Sequence, residues 1–336
     1  MKCILIIPYF GFFKNYHELF LKSCLYNSQI NWLLMTDNTD NYNYPTNFKV
    51  IRMSFDEFRK MVQSKFDFKI SLENPYKLCD YKPAYGYICE QWINEYDYWG
   101  YCDCDLLFGN LSILIKLLEY GYDKLFSGGH LSLYKNTFEN NRVFMSKLEN
   151  EGYIYKKAFS EEQIYAFDEV CYAVSVYNLF MKKGKKIYER DLSYNSSTKH
   201  FALCRVRYDR ITKRWIEESG KNDQIYWVNG KIYRIFCKNK KLNMQEFLYI
   251  HLQMRNMEFE ANTVLDKPII KIEPHRFVGL DLLSETSYEV YKNDYFYIDT
   301  TNVLKWFYCI KGKFKRNRPL KWDKPWEYNP YIEKKN

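Results

Sequence analysis

Apolar residues run unbroken from Cys3 to Ile7 and stop at Pro8. Such a run marks a strand buried on both faces, as the strands of parallel sheets are. A helix is expected over about residues 15–27. A second strand is expected over Trp32–Met35, ending at Thr36-Asp37-Asn38, and a third over Phe48–Met53. Ser54 with Glu57 three residues on is a capping-box pattern, in which each side chain accepts from the other residue's backbone N–H. Strand, helix, strand, strand and helix within 65 residues predict an α/β fold with a βαβ-type open sheet. Ligands of such sheets bind beyond the C-terminal strand ends. That directs attention to the loop Pro8-Tyr9-Phe10-Gly11 and to Asp37, although Asp-Asn-Thr-Asp-Asn is equally a turn former.

Further on, Lys82-Pro83 suits a loop entering a helix, with Asp80 and Lys82 placed where a phosphate would meet helix amides. An aromatic run, Tyr98-Trp99-Gly100-Tyr101, leads into Asp103-Cys104-Asp105. In an extended backbone residues i and i+2 share a face. Two ionised carboxylates on one face repel and call for a cation. Hard divalent ions such as Mg²⁺ or Mn²⁺ take oxygen ligands and bridge to phosphates, so the pair implies a metal–diphosphate site. Phe126-Ser127-Gly128-Gly129-His130 reads as a strand entering a glycine-rich bend, either an ordinary turn or a close backbone approach to a ligand. Tyr249, His251 and Gln253 alternate with Ile250 and Leu252, which sets His251 on the polar face of a strand. His251 is then a third metal ligand or a hydrogen-bonded core histidine.

Composition changes the picture at one end of the chain. Of 336 residues, 47% are hydrophobic and 27% charged, which excludes disordered and collagen-like classes. The net charge is +9, yet residues 305–336 hold ten Lys or Arg against three Asp or Glu, so the tail supplies +7 of it. Trp306, Phe307, Tyr308, Phe314, Trp322, Trp326, Tyr328 and Tyr331 interleave with that charge. Such a mixture suits the headgroup layer of an anionic membrane, or a tail packed on the rest of the chain. No nucleic-acid motif accompanies it. The ten scattered cysteines include no Cys-x-x-Cys, so reduced thiols and a cytoplasmic protein are expected. No stretch reaches the roughly 18 apolar residues of a membrane span.

Cys79-Asp80-Tyr81-Lys82-Pro83, then Asp103-Cys104-Asp105 with Phe108-Gly109-Asn110, then Phe167-Asp168-Glu169, then Tyr249-Ile250-His251-Leu252-Gln253 form a pattern in order. It resembles nucleotide-sugar-dependent glycosyltransferases of the A-type fold, in particular bacterial transferases of capsule and lipopolysaccharide synthesis. The resemblance covers roughly residues 1–255, implies a Rossmann-like mixed central sheet with helices on both faces, and makes residues 256–336 an acceptor- or membrane-facing extension. It implies an Mn²⁺ or Mg²⁺ ion and a nucleoside-diphosphate sugar, most simply a UDP-sugar, as donor. Pro8, Tyr9, Phe10 and Asp37 would hold base and ribose, and Asp80 and Lys82 would contact ribose or phosphate. Asp103 would lie near ribose and metal, Asp105 and His251 would ligate the metal, and Gly128, Gly129 and His130 would line the sugar. An inverting enzyme needs a carboxylate to deprotonate the acceptor hydroxyl. Asp168 is the first candidate and Glu169 the second, at an expected helix start; an acidic solvated turn is the other reading. The acceptor would be a glycan or lipid-linked glycan, at the inner face of the cell membrane if the tail attaches there. A phosphatase using Asp-x-Asp would carry it at the first strand. A nucleotidyltransferase would precede it with Gly-Ser, and a basic binding module would leave the acids idle.

Overall fold

The computed structural model describes residues 1–282, except 149–150, 173, 200–201, 219–222, 239–240 and 254. The basic aromatic tail from residue 305 lies outside the described residues.

The chain up to residue 188 builds one seven-stranded sheet. Its strands are β1 (Cys3–Pro8), β2 (Ile30–Thr36), β3 (Phe48–Arg52) and β4 (Tyr98–Cys102), all parallel, with β1 between β2 and β4. The chain then forms β5 (Leu106–Phe108), outside this sheet, and returns as β6 (Lys124–Leu125), β7 (Leu131–Lys135) and β8 (Ile187–Tyr188). β7 is antiparallel to β4, so the seven-stranded order β3-β2-β1-β4-β7-β6-β8 is mixed. β1 alternates as a doubly covered strand must. Ile4 and Ile6 pack with helices Phe55–Gln63 and Val176–Lys182 on one face. Cys3, Leu5 and Ile7 pack with helices His17–Leu25 and Ser112–Glu119 on the other. The capping box forms: Glu57 N–H donates to Ser54 Oγ, and Ser54 N–H donates to Glu57 Oε2 at 2.7 Å.

Beyond the sheet lie β9 (Ser193–Asn195), the hairpin of β10 (Val206–Asp209) and β11 (Arg214–Glu217), β12 (Gln224–Val228), β13 (Lys231–Lys238), β14 (Lys241–Phe247), β15 (Tyr249–His251), β16 (Ile269–Ile272) and β17 (Phe277–Leu280). Five of these form an antiparallel sheet ordered β14-β13-β12-β16-β17, and β5-β15-β9 form a small sheet beside the site. The expected boundary at 255 therefore falls inside one packed unit. β16 hydrogen-bonds to β12, and Ile270 and Ile272 enter the same buried cluster as Ile250 and Leu252. The shift in composition that marks the tail does not coincide with the end of the core. Much of the aromatic excess is core: Trp32, Trp99 and Trp227 are fully buried. The described cysteines are free thiols.

Candidate metal and ligand site

β4 ends at Cys102, and the chain turns through Asp103-Cys104-Asp105 into β5. The two acids thus meet in a tight connection, where an extended strand was expected. Asp103 N–H donates to the His130 carbonyl at 3.1 Å, and Leu252 N–H donates to the Asp105 carbonyl at 3.1 Å. β15 pairs antiparallel with β5, placing His251 opposite Leu106 and beside Asp105. Ile250 and Leu252 face the core as the alternation predicted. One ligand atom each from Asp103, Asp105 and His251 lie within 4.8 Å of one another. Two carboxylates and an imidazole gathered this closely could hold a metal ion.

On the other side of β15, β9 sets Asn195 opposite His251. Asn195 Oδ1 accepts from His251 Nδ1 at 2.9 Å and from Gln253 Nε2 at 2.6 Å. An amide oxygen only accepts, so Nδ1 carries the proton and Nε2 is directed to the acids, 3.3 Å from Asp105 Oδ1. Burial opposes a charge on His251, but Asp105 and Asp103 outweigh it and raise its pKa. His130, tilted 4.7 Å from the His251 ring, is held neutral by burial and by His251 itself, and pairs with the Tyr249 hydroxyl at 2.9 Å.

Lys82 joins this acid site to a second one. Its Nζ lies 2.7 Å from Asp103 Oδ1 and 3.2 Å from Asp168 Oδ2, and donates to the Gly129 carbonyl at 2.8 Å. Burial pushes the Asp168 carboxyl up to about 8 in spite of Lys82, and burial raises Glu169 as well. Gly129 packs on both acids: a Cβ there would sit 2.5 Å from Asp168 Oδ2 and from Glu169 Oε1. Asp168 does not begin a helix. The helix Ile154–Ser160 ends before it, the next starts at Val176, and residues 161–172 are irregular, with Ala166 at φ +47°.

Asp80 explains that irregularity and corrects its expected role. It is fully buried, pairs with Lys77 Nζ at 2.8 Å, and accepts the N–H groups of Tyr165 and Phe167 at 3.0–3.1 Å. Its oxygens are committed to backbone that would otherwise be unsatisfied, and it does not line the cavity. Asp37 is likewise outside the cavity. Exposed at the end of β2, it accepts from Gly11 N–H at 2.7 Å and pins the first-strand loop, where Gly11 has φ +99°. Gly128 and Gly129 do not line the cavity either, because they are consumed in close packing against His130 and the two acids.

The remaining candidates meet in one cavity of about 580 Å³: Pro8, Tyr9, Phe10, Lys82, Asp103, Asp105, His130, Asp168, Glu169 and His251. This volume is typical of a small-molecule site. Phe10 is anchored by Phe55 and Phe58, at ring distances of 5.3 and 5.4 Å, and Tyr9 stacks on Phe13 at 4.7 Å. Sequence reasoning missed Asn195, Tyr76, Tyr172 and Trp215, which also line the cavity. None sits in a spacing pattern, and only strand register or loop packing brings them in.

Fold and site together define a mixed α/β protein in which the turn after β4 and the neighbouring strand β15 bring a two-carboxylate, one-imidazole cluster into a ligand-sized cavity. The chain belongs to a family of unknown function, DUF6625, whose sequence profile matches residues 5–281. That span, like the packed unit, runs past residue 255 and through β17. No curated protein matches the chain. Among the described residues no helix is long and apolar enough to cross a membrane.

Proposed function

We propose that this protein is a metal-dependent glycosyltransferase of the A-type fold. It would transfer a hexose or N-acetylhexosamine from a nucleoside-diphosphate sugar, most simply a UDP-sugar, to a hydroxyl of a glycan or glycolipid in surface polysaccharide synthesis. The observation that carries this reading is the convergence of Asp103, Asp105 and His251 within 4.8 Å, with a buried acid pair on the far side of Lys82.

Asp103, Asp105 and His251 would hold Mn²⁺ or Mg²⁺, which when bound supplies Lewis-acid neutralisation of the diphosphate. Lys82 adds a fixed ammonium whose charge is shared with two carboxylates and directed into the cavity, where a leaving diphosphate gains charge. The loop Pro8–Phe10 borders the base and ribose. Asp168 takes the proton of the acceptor hydroxyl. Its carboxyl is pushed up to about 8 by burial in spite of Lys82, which makes its ionised form a stronger base than an exposed aspartate. The apolar parts of the wall exclude water that would hydrolyse the donor.

Calorimetric titration with UDP and other nucleoside diphosphates, with and without Mn²⁺, tests the reading. Metal-dependent binding that prefers one base is the expected result. Absence of binding, or binding indifferent to metal, refutes it. In a panel of nucleotide sugars the released product should be the nucleoside diphosphate; phosphate or pyrophosphate as sole product would indicate the phosphatase or nucleotidyltransferase instead.

A further inference from the structure

The β10–β11 hairpin carries charge that the cavity does not use. Residues 205–214 hold five Lys or Arg against one Asp. Arg205 is turned inward, with Nη1 2.7 Å from Glu218 Oε1. Asp209 is spent on the turn itself: its oxygens accept from Ile211 N–H at 3.2 Å and from the Thr212 hydroxyl at 2.8 Å. The exposed tip therefore presents Ile211, Lys213 and Arg214 to solvent with no free acid beside them. Ile211 is 93% exposed, the most exposed large apolar residue among the described ones. A single apolar side chain on a surface is ordinary. A branched one at the apex of a turn, where glycine and small polar residues are favoured, and set between cations, calls for a partner.

The tip has a fixed place in the fold. Arg210 pairs with Glu189 and lies 5.0 Å over the ring of Tyr177. Tyr208 stands opposite Trp215 across the two strands, with their rings 5.5 Å apart, and Trp215 lines the cavity. Glu189 follows β8, the edge strand, which runs parallel to β6. Phe126 N–H donates to the Tyr188 carbonyl at 2.8 Å, just where the chain after β6 leads into the bend that ends at His130. Arg190, the residue after Glu189, is thus another exposed cation on the cavity side of the sheet. Among the described residues neither Arg190 nor Lys213 has an acidic partner.

An anionic bilayer offers phosphates at its surface and hydrocarbon just below, which suits cations flanking a protruding apolar residue. A soluble anionic polymer offers the charge without the hydrocarbon. We infer that the tip of this hairpin is a membrane contact: Ile211 enters the boundary between headgroups and acyl chains of an anionic bilayer, and Arg190, Lys213 and Arg214 sit over its phosphates. This surface is separate from the basic tail, and it does not depend on the transferase reading. Because Trp215 belongs to the same hairpin, the cavity mouth opens beside the headgroups.

The test is co-sedimentation of the full chain with vesicles of phosphatidylcholine and phosphatidylglycerol, beside vesicles of phosphatidylcholine alone. Binding to the anionic vesicles is expected, and should weaken as salt is raised. Arg190→Gln/Lys213→Gln should weaken it about tenfold. Ile211→Ser should weaken it about three- to tenfold and leave binding to dextran sulfate unchanged. All three positions are exposed, so the melting temperature should stay at the wild-type value in both variants. The tail is present in every protein compared. Vesicle binding at the wild-type level in the charge variant would therefore assign the contact to the tail and overturn the inference. An Ile211→Ser protein that binds vesicles like the wild type would overturn it as well, because the tip would then meet anionic charge without entering lipid. A wild-type chain that ignores anionic vesicles removes the contact altogether.

Discussion

Asp80→Asn separates a ligand contact from a scaffold. The carboxylate has no exposed surface, and its partner Lys77 is 2% exposed at the side chain. The substitution keeps the shape and one accepting oxygen. It removes the negative charge and leaves a buried ammonium facing a neutral amide. Breaking one side of a buried ion pair costs about 3–5 kcal/mol, a large share of the roughly 5–15 kcal/mol that holds a typical domain. The two backbone N–H groups of Tyr165 and Phe167 also lose charge-assisted acceptors. Urea denaturation followed by near-UV circular dichroism should show the loss directly, with a melting temperature lowered on the order of 10 °C. The double variant Asp80→Asn/Lys77→Met should recover part of it, because no unpaired charge remains. The reasoning is refuted if Asp80→Asn unfolds at the wild-type urea concentration and yet binds nucleotide poorly. That pattern would make Asp80 the ligand contact its place in the motif predicts.

Asn195→Ala should weaken Mn²⁺ binding about 10- to 100-fold with little change in stability, since Asn195 sets the His251 tautomer; an unchanged electron-paramagnetic-resonance titration with Mn²⁺ would contradict this. Gly129→Ala must displace Asp168 and Glu169, and should cut the rate of UDP release from the cognate donor roughly 100-fold while Mn²⁺ affinity persists; a wild-type rate would show that the acid pair is not needed where it stands. Lys124 is fully buried, hydrogen-bonded to Ser132 and Tyr134, and burial lowers its pKa to about 7. The unfolded chain therefore holds a proton on this lysine between about pH 7 and 10 that the folded chain releases. Stability should rise with pH across that range, by at most about 1.4 kcal/mol per unit from this group. Lys124→Met should flatten the slope between pH 7 and 9, and equal slopes in the two proteins would refute the assignment.

The order of the first strands, the capping box at Ser54 and the placement of two acids after β4 follow from local pattern, because each depends on residues within a few positions of one another. So does the facing of His251, which strand alternation sets. Two acids in near succession say that a charge must be compensated wherever the chain folds. The choice among Asp37, Asp80 and Asp168 is of another kind. All three are acids near turns, and nothing in their neighbours along the chain distinguishes an oxygen that accepts backbone N–H groups from one that faces a cavity. Asp80 is claimed by residues 85 and 87 positions away, and Asp37 by Gly11, 26 positions away.

What the amino-acid sequence determined by itself is the α/β class, the first strands and the pair of carboxylates at the end of β4, since strand periodicity and charge repulsion act over short distances. Only the tertiary structure decided that Asn195 stands behind His251, that Lys82 bridges two acid sites, that Asp80 is scaffold, and that residues 256–282 belong to the core. Each of these rests on strand register or on a buried contact between distant segments. Such contacts form when the chain as a whole buries its apolar surface, and they satisfy its polar groups with whatever partners that burial brings near.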